Sequence, residues 1–324
     1  MKTALISGAS GQDGAYLARF LLKKGYQVYG ASRDALSSSF ANLSCLGIKE
    51  QVCLVSLAAN DFRSVLKTLQ DTEPDEIYNL AGQSSVGLSF EQPVETLESI
   101  STATLNFLEA IRFTGRNIRF YNAGSSECFG DTDGNKADEE TPFRPRSPYA
   151  VAKASAHWIV ANYREAYDLF ACTGILFNHE SPLRPERFVT GKIIAAACRI
   201  AAGSKEQLQL GNMDIYRDWG WAPEYVKAMY LMLQQEKPQD YVIATGTSRS
   251  LLDFVALAFQ EVGLNWQDHV VSVPTLLRPA DIRKGCGNPG KAKQELGWQA
   301  RFALEDVVRE MVKAGREKYT LVQK

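Results

Sequence analysis

Two side chains four residues apart suggest proton chemistry. In Tyr149-Ala-Val-Ala-Lys153 the phenol and the ammonium fall on one face of a helix. A nearby ammonium favours phenolate, which lets a tyrosine exchange protons with an alcohol near neutral pH. This is the only Tyr/Lys pair at that spacing in the chain, but so short a motif gains weight only from its place in a fold. Upstream, Asn122-Ala-Gly-Ser125-Ser126-Glu127 offers a hydroxyl and a carboxylate. Ser125 could hydrogen-bond a substrate hydroxyl, and Glu127 could serve as acid or base. Taken singly, each reads more readily as a loop hydroxyl or a helix cap. Beside the Tyr/Lys pair and the glycine motif near the N-terminus, the chemical reading is the stronger one.

That glycine motif is Gly8-Ala-Ser-Gly11-Gln-Asp-Gly14, between a first apolar strand and a first helix. Glycines there let the backbone turn tightly, approach a pyrophosphate and pack a helix on a sheet, while the helix start presents free N–H groups to phosphate. The spacing is G-x-x-G-x-x-G rather than G-x-G-x-x-G. A bland glycine turn is the competing reading, and the position after strand one favours a dinucleotide. The second strand ends Ala31-Ser32-Arg33-Asp34, with Ser32 where NAD-binding proteins carry an acid. Arg33 suits a 2′-phosphate by charge and bidentate hydrogen bonding, which selects NADP. A shift of one or two residues would instead make Asp34 the NAD-type acid.

The elements that must position these groups alternate. Strand-like runs at 3–6, 27–30, 52–55, 76–80 and 118–122 are separated by helical stretches at 12–24, 61–72 and 93–114. This order implies βαβ units and a parallel sheet whose strands are buried on both faces. Ser147-Pro148 starts a long helix to about residue 168, with serine as N-cap and proline in the first turn. Phe170–Phe177 is another buried strand. Beyond Asn178 strands become sparse and helices are expected near 189–202, 222–235, 249–263 and 303–316, with one late strand at 241–244. The expected fold is a Rossmann-type doubly wound α/β domain, with a smaller, mostly C-terminal α/β substrate-binding domain. Residues 1–178 form the first, joined by a strand returning near 241–245; residues 179–324 mainly form the second, interleaved with it.

Composition narrows the remaining classes. With 324 residues, 45% hydrophobic and 23% charged, the chain can build a sizeable core. A net charge of −1 gives no reason to expect a nucleic-acid or anionic-membrane partner, and no apolar run approaches the ~20 residues of a membrane span. The N-terminus lacks the apolar core and cleavage site of a signal peptide. Six scattered cysteines without a CxxC, and three histidines, argue for a reducing, cytoplasmic setting and against a metal.

At this level of detail the chain resembles the GDP-mannose 4,6-dehydratase family of extended short-chain dehydrogenases/reductases. The resemblance runs through GASGQDGAYLARFLLKKGYQVYG, YNLAGQSSVGLSFEQP, RFYNAGSSECFG, the segment from TPFRPRSPYAVAKASAHW to ACTGILFNHESP, LGNMDIYRDWG, LLRPADI and GNPGKAKQELGW. GQDG, FNHESP and GNMD-x-x-RDWG together are far more specific than the glycine and Tyr/Lys motifs.

The resemblance implies roles. Tyr149 would be the base toward the sugar 4-hydroxyl, and Lys153 would tune it and hold the nicotinamide ribose. Glu127 would be the acid/base at C5 and C6, and Ser125 stands where the family usually has threonine. Gly8, Gly11, Gln12, Asp13, Gly14, Arg33, Asp61, Leu80, Ala81, Gln83 and His179 match cofactor-lining positions. Ser84, Asn178, Lys192, Arg217 and Arg278, with Glu127, match positions that would hold the GDP-sugar. The implied reaction is an internal redox dehydration on NADP: oxidation at C4, loss of water across C5 and C6, and return of hydride to C6. A 4-epimerase or 4-keto reductase of the same superfamily, and a non-catalytic nucleotide-binding protein, are the competing readings.

Some positions depart from the family. Leu183-Arg-Pro-Glu-Arg-Phe replaces an arginine pair followed by glycine, Asp34 a second arginine, Trp221 a histidine and Gly124 a serine. These leave the sugar open between GDP-mannose and a GDP-heptose. Relatives dimerise through the helices near 93–114 and 148–168, so a homodimer is expected and a tetramer stays open. Leu97, Ile100, Leu105, Leu108, Ile159 and Tyr163 could serve that contact or face the protein's own sheet.

Overall fold

Short apolar runs that end at glycine or asparagine become strands, and the amphipathic stretches between them become helices. A computed structural model describes residues 1–276 and 280–321. The first half runs β1 (Thr3–Ser7), α1 (Gln12–Lys23), β2 (Gln27–Ser32), α2 (Ala41–Cys45), β3 (Cys53–Ser56), α3 (Phe62–Thr72), β4 (Glu76–Asn79), α4 (Val86–Glu91), α5 (Pro93–Leu97), α6 (Ala103–Thr114), β5 (Arg119–Ala123), α7 (Pro148–Tyr167) and β6 (Ala171–Leu176). The remainder runs β7 (Asn178–Glu180), α8 (Val189–Ala201), β8 (Leu208–Leu210), β9 (Tyr216–Trp221), α9 (Ala222–Leu233), β10 (Tyr241–Ile243), β11 (Ser248–Ser250), α10 (Leu251–Glu261), β12 (Val270–Ser272), α11 (Gly290–Leu296) and α12 (Leu304–Leu321).

Seven strands form one parallel sheet in the order β3-β2-β1-β4-β5-β6-β10. The registers Ser7↔Ala31, Ser7↔Asn79, Asn79↔Asn122 and Ala123↔Gly174 bring the carboxyl ends of five strands level. Strand order reverses between β1 and β4, and the crevice beyond such a switch is where open α/β sheets bind ligands. β4 and β6 are buried along their whole length, because helices cover both faces of the sheet. On one face Leu17 of α1 and Val226 and Met229 of α9 pack with Tyr78 and Tyr121. On the other Val65, Phe107, Ile111 and Val160 pack with Leu5, Ile77 and Phe120. Each such side chain contributes about 1.5–3 kcal/mol on leaving water.

A second core joins α8, α10 and α12 to β8, β9 and β12 through Ile193, Trp219, Phe254 and Val308. Two small sheets complete it, β11-β9-β7 and β12-β8. At the start of α7 the Ser147 hydroxyl accepts the Ala150 N–H at 3.1 Å, with Pro148 in the first turn. This cap fixes where the Tyr149–Lys153 face begins.

Local differences from expectation have physical reasons. The helix expected over 93–114 is interrupted by a π turn at Glu98–Thr102, where five-residue spacing replaces four. The sparse strands expected after residue 178 are in fact joined by β7, β8, β9, β11 and β12; four of these have three residues, too few to print an alternation. Leu97 and Leu105 are 39% and 37% exposed. Ile100, Leu108 and Tyr163 are buried in the protein's own core. Among the described residues no helix is long and apolar enough to cross a membrane.

Candidate active site

The β1–α1 turn is shaped by its glycines. Gly8 adopts φ +89°, and a Cβ there would lie 2.9 Å from the Ala81 nitrogen. At Gly14 a Cβ would lie 2.3 Å from the Gly8 carbonyl. No other residue fits either place. Gly11 is the N-cap of α1 and offers no side-chain acceptor, so the first N–H groups of the helix are left to an outside anion.

Above this turn a cleft is lined by Gly8, Gly11, Ser32, Arg33, Asn60, Leu80, Ala81, Gln83, Ser84 and Glu95, among others. The buried Ser32 hydroxyl has no hydrogen-bond partner, and a polar ligand would satisfy it. A dinucleotide fits these features: a close-approach glycine turn, an open helix start and a waiting hydroxyl at the end of β2. Arg33 lines the cleft and pairs with Glu95 at 2.9 Å. Asp34 turns into its own loop, where Oδ1 accepts the Leu36 N–H at 2.9 Å. Asp61 caps α3 by accepting the Arg63 N–H at 3.0 Å; its neighbour Asn60 lines the cleft.

A second cleft adjoins the first and shares Leu80, Ser84, Ser85 and Arg187 with it. Ser125, Glu127, Tyr149 and Lys153 all line it, with Asp13, Asn178, His179 and Arg217. Ser125 follows β5, and its hydroxyl accepts the Glu127 N–H at 3.3 Å. Lys153 is buried and donates to the Ala123 carbonyl at 2.6 Å. Its ammonium lies 5.8 Å from the centroid of the Tyr149 ring.

Here one expectation is corrected. Burial dominates at Tyr149 and raises its phenol well above the ordinary range; a hydrogen bond with Ser125 works the other way. Burial likewise pulls Lys153 down to about 8. Desolvation of each charged form therefore outweighs the attraction read from the i, i+4 spacing. Within the protein alone, the Ser125 hydroxyl and, more weakly, the Arg184 charge favour phenolate.

Asp13 and His179 form a hydrogen-bonded pair lining the second cleft, with Nε2 2.8 Å from Oδ2 and Nδ1 2.7 Å from the Phe177 carbonyl. Burial opposes the imidazolium, but the Asp13 carboxylate and these hydrogen bonds overcome it and raise the histidine. Gln12 ties the same corner together, donating to the His179 carbonyl at 3.2 Å and accepting from Ser181 at 2.7 Å. His179 stacks on Tyr225 with centroids 4.4 Å apart.

The residues matched to the sugar nucleotide are less tightly gathered. Ser84, Asn178 and Arg217 line the second cleft. Arg217 is bonded to Asp281 at 3.0 Å and to the Ile282 carbonyl at 2.8 Å. Lys192 lies outside the residues lining either cleft, and its ammonium donates to the Gln209 carbonyl at 2.7 Å. Arg278 lies outside the described residues. The cleft also holds Arg184, Arg187 and Trp219, which sequence reasoning did not assign. The two arginines belong to the segment where the chain departs from the family spacing, so the basic charge was visible in the sequence but its direction was not.

The parallel sheet with its switch-point crevice, the glycine turn and the Tyr/Lys helix define a Rossmann-type protein of the short-chain dehydrogenase/reductase superfamily. Solved structures of similar fold include the dTDP-glucose 4,6-dehydratase of Streptomyces venezuelae with NAD bound, at TM-score 0.88 and 21% identity over 98% of each chain. Another is RMD from Pseudomonas aeruginosa complexed with NADPH, at TM-score 0.81 and 20% identity over 98% of this chain and all of that one (100%). The chain belongs to the GDP-mannose 4,6-dehydratase family: the model of that family matches residues 5–311. It is 47% identical to GDP-mannose 4,6 dehydratase 1 of Arabidopsis thaliana, over 96% of this chain and 89% of that protein. It is 42% identical to the GDP-mannose 4,6-dehydratase of Yersinia enterocolitica, over 96% and 93%.

Proposed function

We propose that the protein is an NADP-dependent lyase that converts a GDP-sugar to its 4-keto-6-deoxy product, with GDP-mannose as the first substrate and a GDP-heptose as the alternative. The observation that carries this reading is the convergence of Ser125, Glu127, Tyr149 and Lys153 on one cleft continuous with the dinucleotide cleft. Gly8, Gly11, Ser32, Arg33, Leu80, Ala81 and Gln83 would hold the cofactor, and Arg33 favours a 2′-phosphate. A nicotinamide bound there would take hydride from C4 and give it back at C6, so that the cofactor is regenerated.

The chain's own residues handle the protons. Tyr149 receives the proton of the sugar 4-hydroxyl, and Ser125 orients that hydroxyl while stabilising the phenolate. Lys153, held by Ala123, keeps a positive charge near the ring face. Once C4 is a ketone, the C5 proton is acidic. Glu127 removes it and protonates the departing C6 hydroxyl, which leaves as water, and a solvent-derived proton returns to C5 when C6 is reduced. Arg184, Arg187 and Arg217 line the same cleft and suit a pyrophosphate by charge.

Glu127 separates this reading from a 4-epimerase or 4-keto reductase, which would use Tyr149 and Lys153 without eliminating water. Incubation with NADP⁺ and a panel of GDP-hexoses and GDP-heptoses tests it. The reading expects a 4-keto-6-deoxy product from one of them. A C4 epimer as the sole product would overturn it, and binding without turnover of any sugar would favour a non-catalytic protein. Exposed Val94, Leu97, Leu105, Val151 and Trp158 lie on α5, α6 and α7. This apolar face supports a homodimer built on those helices. The six cysteines are all unpaired, which suits a reducing, cytoplasmic setting.

A further inference from the structure

The Arg33–Glu95 pair bears on which dinucleotide the cleft prefers. Arg33 follows the last residue of β2, where dinucleotide-binding sheets read the adenosine ribose. Glu95 comes from a different element, the first turn of α5, and lines the same cleft. Its carboxylate lies 2.9 Å from the Arg33 guanidinium. α5 and the π turn after it are held against the cleft: Gln83 donates from its side chain to Thr96 of α5 at 3.2 Å and from its backbone N–H to Ser99 of the turn at 3.2 Å. The backbone that carries Glu95 is therefore anchored at the cleft wall, and its partly exposed carboxylate is held there by Arg33.

We infer that Glu95 is a specificity-determining residue that lowers the preference for NADP over NAD by competing for Arg33. This rests on the dinucleotide reading of the cleft. A ribose 2′-phosphate carries about −1.5 to −2 charges. To reach Arg33 it must displace the Glu95 carboxylate and then sit beside it as a like charge. A free 2′-hydroxyl meets neither obstacle, because a carboxylate accepts hydrogen bonds from a ribose diol. The unpartnered Ser32 hydroxyl at the same strand end can serve either ribose. Arg33 alone reads as an NADP signal; Arg33 with Glu95 across from it reads as a moderated one.

The test is a competition on the full chain. Wild type, Glu95→Gln and Glu95→Lys are equilibrated with an equimolar excess of NAD⁺ and NADP⁺, desalted and denatured, and the retained dinucleotides are quantified. The ratio of NADP to NAD should rise by up to about fivefold in Glu95→Gln, the scale of one exposed ion pair, and further in Glu95→Lys. Thermal melts without added dinucleotide should match wild type, since the Arg33 and Glu95 side chains are 75% and 43% exposed. A ratio that is unchanged, or that moves toward NAD, overturns the inference and leaves the dinucleotide reading intact. Retention of neither dinucleotide by wild type overturns both.

Discussion

His179 Nε2 sits 2.8 Å from Asp13 Oδ2, joining β7 to the first turn of α1 in the wall of the second cleft. The pair ties the glycine turn to the segment that leads into that cleft.

Its contribution to stability has a defined pH window. Burial opposes charge at both groups, yet His179 is raised above its ordinary 6.5 and Asp13 is lowered below its ordinary 3.8. A raised histidine stabilises fully below 6.5 and loses that contribution as pH rises through its folded value. A lowered aspartate stabilises fully above 3.8 and loses it as pH falls through its folded value. The pair is therefore worth most between these two limits. His179→Gln should lower stability by about 1–3 kcal/mol there, and the difference should shrink toward alkaline pH. Denaturant midpoints across pH check this; a pH-independent difference would contradict it.

Lys153 carries an opposite sign. Burial lowers it from 10.5 to about 8, so its charge costs stability fully below pH 8 and not at all above 10.5. Lys153→Met should raise stability by about 1–3 kcal/mol at pH 7 and abolish turnover. The gain should fade as pH rises through that interval. Equal stability of the two proteins at pH 7 would show that the Ala123 bond offsets the burial.

Glu76 is fully buried at the start of β4. It accepts from Lys2 at 2.9 Å, Tyr26 at 3.0 Å, Tyr78 at 2.8 Å and Gln234 at 3.0 Å. Glu76→Ala removes the shared acceptor and leaves both buried phenols without it. A loss of about 2–4 kcal/mol is expected in denaturant unfolding, far from either cleft and so with little change in KM.

The apolar face on α5–α7 predicts an association that one charge disrupts. Trp158 is 62% exposed, and Trp158→Glu should convert a dimer to a monomer in light scattering after size exclusion. An unchanged mass would move the interface elsewhere.

Sequence carried the parts of the fold that depend on local chemistry. Gly8 and Gly14 announce a turn because no side chain fits there, and Ser147-Pro148 announces α7 because cap and first turn are adjacent in the chain. What stayed hidden depends on distant neighbours. Spacing put Lys153 beside Tyr149, but not the burial that reverses the expected shift of the phenol. Lys192 shared a motif position, yet its ammonium is bonded to Gln209. Arg184 and Arg187 were visible as charges in an irregular segment, and only the fold shows that they line the cleft. Glu95 carried no signal at all, because its meaning comes from Arg33, which belongs to another element.

The central claim is that Glu127 drives elimination in the second cleft. Turnover of GDP-mannose in D₂O by wild type and Glu127→Gln, read by mass spectrometry and NMR, tests it most directly. Wild type should give a product that has lost one water and carries solvent deuterium at C5. Glu127→Gln should slow that product by about 10²–10⁴-fold while still binding the sugar nucleotide. Undiminished elimination by Glu127→Gln, or a wild-type product that has kept its C6 hydroxyl, would contradict the account.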